Sequence, residues 1–282
     1  MIYGISIITT NGFPYFNKDY AIEPKNKNLK ILFFNYSKKL IQSCQENEFE
    51  LVAGLISALF NFSGAQNRPI DELIYKRPEF QIENLLDGQQ PDQLTTGTLV
   101  TVRCDYFSIK AAVKQKLDYI YDKIIKQLEP LNEKKILAPS EQKLIQDVLL
   151  NMPSKQLIRA NSKKLDNYLK SFLKETSNYG IKAIAIASSD LTILKTVNIT
   201  RDELENLLNI VDCPQVEPLN WKFRQVWDEN NQQLNLVFIN SAYAVEYDTL
   251  KETLMYIIIC DAYSAIAELP RKLLLEINET LG

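Results

Sequence analysis

The sequence predicts a mixed α/β protein with layered α+β architecture, built in two successive halves. Three observations carry that reading. Short β-branched runs recur beside turn residues, as in Ile5-Ser6-Ile7-Ile8-Thr9 followed by Asn11-Gly12. Between them lie segments with apolar residues three and four apart, the spacing of a helix with one buried face. Helix and strand signals also restart after Met152-Pro153, which places a boundary between residues 1–152 and 153–282.

In the first half, residues 5–9 and 13–16 form a hairpin around Asn11-Gly12. Residues 17–30 read as a polar loop, and Ile31 to Phe34 as a short strand or a helix start. Phe49, Val52, Leu55, Ile56, Leu59 and Phe60 give the buried stripe of a helix over 48–62, closed by Gly64. Residues 70–83 read as extended, and Asp87-Gly88 with Pro91 as a turn. In 97–104, Val100, Val102 and Cys104 alternate with Thr101 and Arg103, the pattern of a half-buried strand. A long helix over 108–128 follows, with Ile109, Val113, Leu117, Ile120, Ile124 and Leu128 on one face and Pro130 after it. Pro139-Ser140-Glu141 opens a shorter helix that Pro153 ends.

The second half starts with a helix whose face is Leu157, Leu165, Leu169, Phe172 and Leu173, stopped at Asn178-Tyr179-Gly180. The strand 181–187 sets isoleucines on one face and small alanines on the other, where a helix can pack closely. Ser188-Ser189-Asp190 turns it back along 191–197. Thr200 and Glu203 make a capping box for a helix bearing Leu204, Leu207, Leu208 and Val211. Strands over 220–227 and 233–246 follow, with a turn at 228–231. Thr249 to Glu252 reads as a second capping box, opening a nearly all-apolar helix to about Leu269. Pro270 kinks that helix or begins a last one carrying Leu273, Leu274 and Ile277.

Composition narrows the function. Apolar residues make up 46% and charged residues 24% of 282, enough for real cores. Lysine plus arginine is 32 against 35 acids, and a net charge of −3 argues against a dedicated nucleic-acid binder. There is no histidine, which removes imidazole bases, Ser-His and Cys-His pairs, and histidine metal sites. No glycine-rich phosphate loop occurs among only eight glycines, so the chain is not expected to be a GTPase or kinase itself. Cys44, Cys104, Cys213 and Cys260 form no Cys-x-x-Cys pair, and Met1 to Ile5 shows no signal-peptide pattern. Reduced thiols in a cytoplasmic protein are the expectation. The sequons at Asn35, Asn61, Asn198 and Asn278 then read as chance matches.

Each candidate for chemistry has a simpler structural reading. Asp202, Glu203 and Glu205 sit at a helix N-terminus, where acids favour the dipole. Asp261 reads as part of an exposed stripe with Glu252 and Glu268, and Cys260 as a small core residue. Ser188 and Ser189 have no lysine or histidine spaced to activate them. Trp221, Phe223 and Trp227 on one strand face suit packing better than base stacking in an acidic chain. The lysines over 25–30 and Lys38-Lys39 read as a solvated loop, so membrane contact is expected only through partners. No catalytic, cofactor-binding or metal-ligating residue is therefore assigned. What remains is surplus apolar surface on the helices read over 49–62 and 254–266, which calls for another layer or another chain.

Residues 1–152 resemble a longin domain in the strand Ile2 to Thr9, the Asn11-Gly12 turn, the returning strand, the apolar helix 49–62, the strands after it, and the helices over 108–128 and 140–151. Residues 155–282 resemble a roadblock domain in the helix carrying Leu169 to Glu175, the run Gly180 to Ile186, a tight turn, a second strand and a helix after Thr200. The resemblance implies two mainly antiparallel sheets of about five strands each. It also implies a non-catalytic module that forms homo- or heterodimers through helices and sheet edges, and binds, regulates or scaffolds small Ras-like GTPases in trafficking complexes. A carboxylate- or metal-dependent hydrolase and a purely structural subunit are the alternatives.

Overall fold

The computed structural model describes residues 1–9, 14–24, 29–36, 98–129, 131, 136–228, 230–264 and 266–282. The chain divides into two compact units, Met1–Asn35 with Thr98–Gly282, and Tyr36–Gly97. The helix read over 48–62, the segment 70–83, the turn residues Asn11-Gly12 and Asp87-Gly88, Pro91, Pro130, Cys44 and Lys38-Lys39 lie outside the described residues.

The first unit is mixed α/β with two antiparallel sheets and six helices among the described residues. The first sheet holds β1 (Ile2–Thr9), β2 (Pro14–Asp19), β3 (Leu29–Asn35) and β4 (Thr98–Asp105) in the order β2-β1-β4-β3. The loop read over 17–30 is shorter than its polarity suggests. Lys18 and Asp19 continue β2 in register with Ile5 and Gly4, and Leu29 and Lys30 already pair with β4. Backbone pairing outweighs side-chain polarity on an exposed strand. Ile5, Ile7, Val100, Val102, Leu32 and Phe34 are buried on one face. Ser6, Thr101, Arg103, Ile31 and Phe33 share the opposite, partly open face.

Helix α1 (Lys110–Ile120) runs on through a widened π turn, Tyr121–Ile125, to Leu128. That turn carries Tyr121, Ile124 and Ile125 into the core. Helix α2 (Pro139–Leu149) buries Ile145, Val148 and Leu149. Glu141 accepts from the Ala138 backbone N–H at 2.6 Å, and alanine offers nothing in return, so only half a capping box exists. Pro153 does not end this helix. It sits in the first turn of α3 (Met152–Ala160), where its missing N–H costs nothing. Asn151 takes the left-handed conformation between them, φ 56°.

Helix α4 (Ser162–Thr176) leads into the second sheet through Gly180, φ 78°. A Cβ there would stand 2.5 Å from Ser264 Oγ, so glycine is required on both counts. The strands are β5 (Ile181–Ser188), β6 (Ile193–Val197), β7 (Trp221–Trp227), β8 (Gln233–Tyr247) and β9 (Leu250–Asp261), ordered β6-β5-β9-β8-β7. Helix α5 (Arg201–Asn209) precedes β7, and α6 (Leu269–Leu281) closes the chain with Pro270 in its first turn. Thr200 and Glu203 form the expected capping box.

The segment Thr249 to Leu269 is the main correction. It is no helix opened by a capping box; Leu250–Asp261 is the strand between β5 and β8. Its apolar run is continuous because both faces are covered. Leu254, Tyr256 and Ile258 pack with Leu169, Phe172 and Leu273 on one side. Met255, Ile257 and Ile259 pack with Leu204, Leu208 and the small faces of Ala183, Ala185 and Ala187 on the other. The surplus apolar helix surface read over 254–266 is thus, from Leu254 to Cys260, sheet interior. Phe107, just after β4, joins the second of these cores.

Candidate functional site

Lys116 lies on the inner face of α1, three residues after Val113 and four before Ile120, and its side chain has no solvent exposure. Its ammonium group donates to Asn151 Oδ1 at 2.6 Å and to Asp190 Oδ2 at 2.6 Å. Glu252 Oε1 stands 3.2 Å away, an ion contact without hydrogen-bond alignment. Four elements thus meet at one cation: α1, the α2–α3 junction, the β5–β6 turn and β9.

Each partner is held by its local sequence. Asp190 Oδ1 accepts from Ser188 Oγ at 2.5 Å and from the Thr192 N–H at 3.0 Å, the side-chain closure of a tight turn. Leu191 completes that turn at φ 66°. The Asn151 amide N–H₂ faces both Asp190 oxygens at 3.4 Å. Glu252 reaches the cluster from the far end of the β8–β9 hairpin, beyond a bulge between Asn240 and Ala244. In that bulge Ala242 has φ 53°, and Ser241 Oγ donates to the Leu254 carbonyl at 2.7 Å. The hairpin tip is pinned to α1 by Gln115 Nε2 donating to the Lys251 carbonyl at 3.0 Å and by Lys123 pairing with Asp248 at 2.7 Å. Tyr119 packs edge-on against Tyr247.

The electrostatics follow from burial and pairing. Burial alone would raise the Asp190 carboxyl, but the Lys116 charge and hydrogen bond hold it well below the usual carboxylate range. Burial pushes the Glu252 carboxyl up; Lys116 opposes that, and the Asp190 charge adds to it. For Lys116, burial works against the charged form and is outweighed by Asp190 and Glu252, so its ammonium is held above the ordinary lysine value. The cluster is sealed: Lys116 and Asp190 side chains are 0% and 1% exposed, so no substrate reaches them. It joins elements rather than acting on a ligand, and losing one member would strand a buried charge.

The structure separates the other sequence candidates. Ser188 does have a lysine within its network, through Asp190, although 72 residues earlier in the chain. Glu203 closes its helix cap and Glu205 pairs with Arg201 at 2.7 Å. Cys260 is buried core. Asp261 ends β9, half exposed and paired with Lys182 at 2.7 Å. Trp221, Phe223 and Trp227 do share one face of β7. Trp221 packs on the core, whereas Phe223 and Trp227 are 56% and 58% exposed on a sheet edge. The sequence reading of the helix over 108–128 names its apolar stripe and assigns Lys116 no role; a lysine three residues after Val113 and four before Ile120 is the signal that could have found it.

Among the described residues no group of three or more Cys, Asp or Glu side chains is arranged to hold a metal ion, and no helix is long and apolar enough to cross a membrane. No family model matches this sequence, and no curated protein matches it.

Proposed function

We propose that this chain is a non-catalytic, cytoplasmic interaction module that binds, regulates or scaffolds a small Ras-like GTPase or a trafficking-type complex through longin- and roadblock-like halves. The observation that carries the reading is the β7 edge. Among the described residues, β7 is the last strand of its sheet and pairs only with β8. It presents Phe223 and Trp227 to solvent along an edge with no further strand beside it among the described residues, a combination suited to strand pairing with a second chain. The leading helix α4, the tight turn after β5, the helix α5 after Thr200 and the five strands of the second sheet give further support, since the roadblock resemblance implies each of them.

The test is retention of a panel of small GTPases, loaded with GDP or a GTP analogue, on the immobilised full chain. A binder should be retained, and Phe223→Ser with Trp227→Ser should cut retention at least tenfold without altering the circular dichroism spectrum. Failure of every loaded GTPase to bind, alone or with a second longin- or roadblock-type subunit, would sink the GTPase assignment.

A further inference from the structure

The first sheet carries a second surface, separate from β7 on the other sheet. Between β2 and α2 runs a groove of roughly 190 Å³, lined by Phe16, Lys18 and Tyr20 on one wall and by Gln142, Lys143 and Gln146 on the other. No carboxylate lines it. Lys18 and Lys143 have no ion-pair partner among the described residues, in a chain whose net charge is −3. The Tyr20 hydroxyl is buried there without a hydrogen-bond partner among the described residues, and such a group costs free energy until an acceptor arrives. Among the described residues β2 is itself an edge strand, paired only with β1. Its outer backbone groups have no strand beside them among the described residues.

The geometry points to a docking site for an extended acidic segment of a partner protein, added antiparallel along β2. Phe16 and Lys18 are two residues apart and both line the groove, so they stand on one side of β2, about 6.8 Å apart along the strand. A segment with an apolar side chain at one position and a carboxylate two residues away matches that spacing. The apolar side chain covers Phe16, and the carboxylate lies between Lys18 and Lys143, with Gln142 and Gln146 as further donors. A free anion would use the two lysines but neither Phe16 nor the strand edge, which is why a peptide is favoured. Main-chain hydrogen bonds supply affinity and the paired lysines supply selection for acidic sequences.

The experiment uses the full chain and a fluorescently labelled, capped heptapeptide alternating valine and glutamate, with the valine–lysine peptide as control. Anisotropy should show saturable binding of the glutamate peptide and at least tenfold weaker binding of the lysine peptide. The double reversal Lys18→Glu with Lys143→Glu should invert that preference; should it fail to fold, Lys143→Gln on the exposed helix surface should still weaken the glutamate peptide several-fold. Equal binding of both peptides, indifference to these substitutions, no binding, or complete displacement by millimolar glutarate would each overturn the assignment. Because Phe223 and Trp227 lie on the other sheet, loss of GTPase retention and loss of peptide binding are separable outcomes.

Discussion

The two sheets bury themselves differently, and that difference governs how each can be read and used. In the first sheet β4 alternates buried and half-buried residues, and among the described residues one of its faces stays partly open. In the second, β9 is buried nearly end to end, between α4 and α6 on one side and α5 with Phe107 on the other. A sheet covered once keeps a free face as well as free edges. A sheet covered twice can offer partners only its edges, which is where its exposed aromatics stand.

The largest effect is expected where the two regions meet. Lys116→Met leaves Asp190 charged, buried and unpaired, and should cost about 3–5 kcal/mol in urea unfolding. Adding Asp190→Asn should recover much of that, and a double variant as unstable as the single would show that the ion pair is not the cause. Next come the two faces of β9. Ile257→Ala and Ile258→Ala should each cost about 2–5 kcal/mol, since each empties a filled site on a different side of the sheet. A small loss for either would mean that its face is not closed.

The pH dependence sharpens the same joint. The folded pKa of Asp190 lies below its ordinary 3.8, so its contribution is present above that value and is lost as pH falls through the folded pKa. Glu252 is shifted the other way. Its contribution is full below the ordinary 4.5 and is lost as pH rises through its raised folded pKa. Glu252→Gln removes only the second trend, so the variant should gain on the wild type as pH rises from 4 to 8. A constant difference in urea midpoints over that range would contradict the raised pKa. The smallest effect belongs to the open face of the first sheet, where Thr101→Ala should change stability by no more than about 0.5 kcal/mol.

Much of the fold was legible residue by residue. The alternation of Val100, Val102 and Cys104, the Thr200–Glu203 cap, the isoleucine and alanine faces of β5 and the stripe of α1 all act through neighbours within a turn or a strand. The β7 aromatics were also visible as a shared face, though not that two of them stand open at an edge. The Lys18–Lys143 groove was not visible, because its walls are 125 residues apart in the chain.

Taken alone, the sequence determined the one-sided elements, because periodicity records which side of a strand or helix meets water. It also removed imidazole chemistry, because a chain without histidine has no imidazole to use. The tertiary structure decided the rest. A segment covered on every side carries no period, so only its neighbours made Leu250–Asp261 a strand and not a helix. A buried lysine is tolerable only if opposite charge is brought to it, and Asp190 and Glu252 reach Lys116 across 74 and 136 residues of chain, a separation that leaves no local trace.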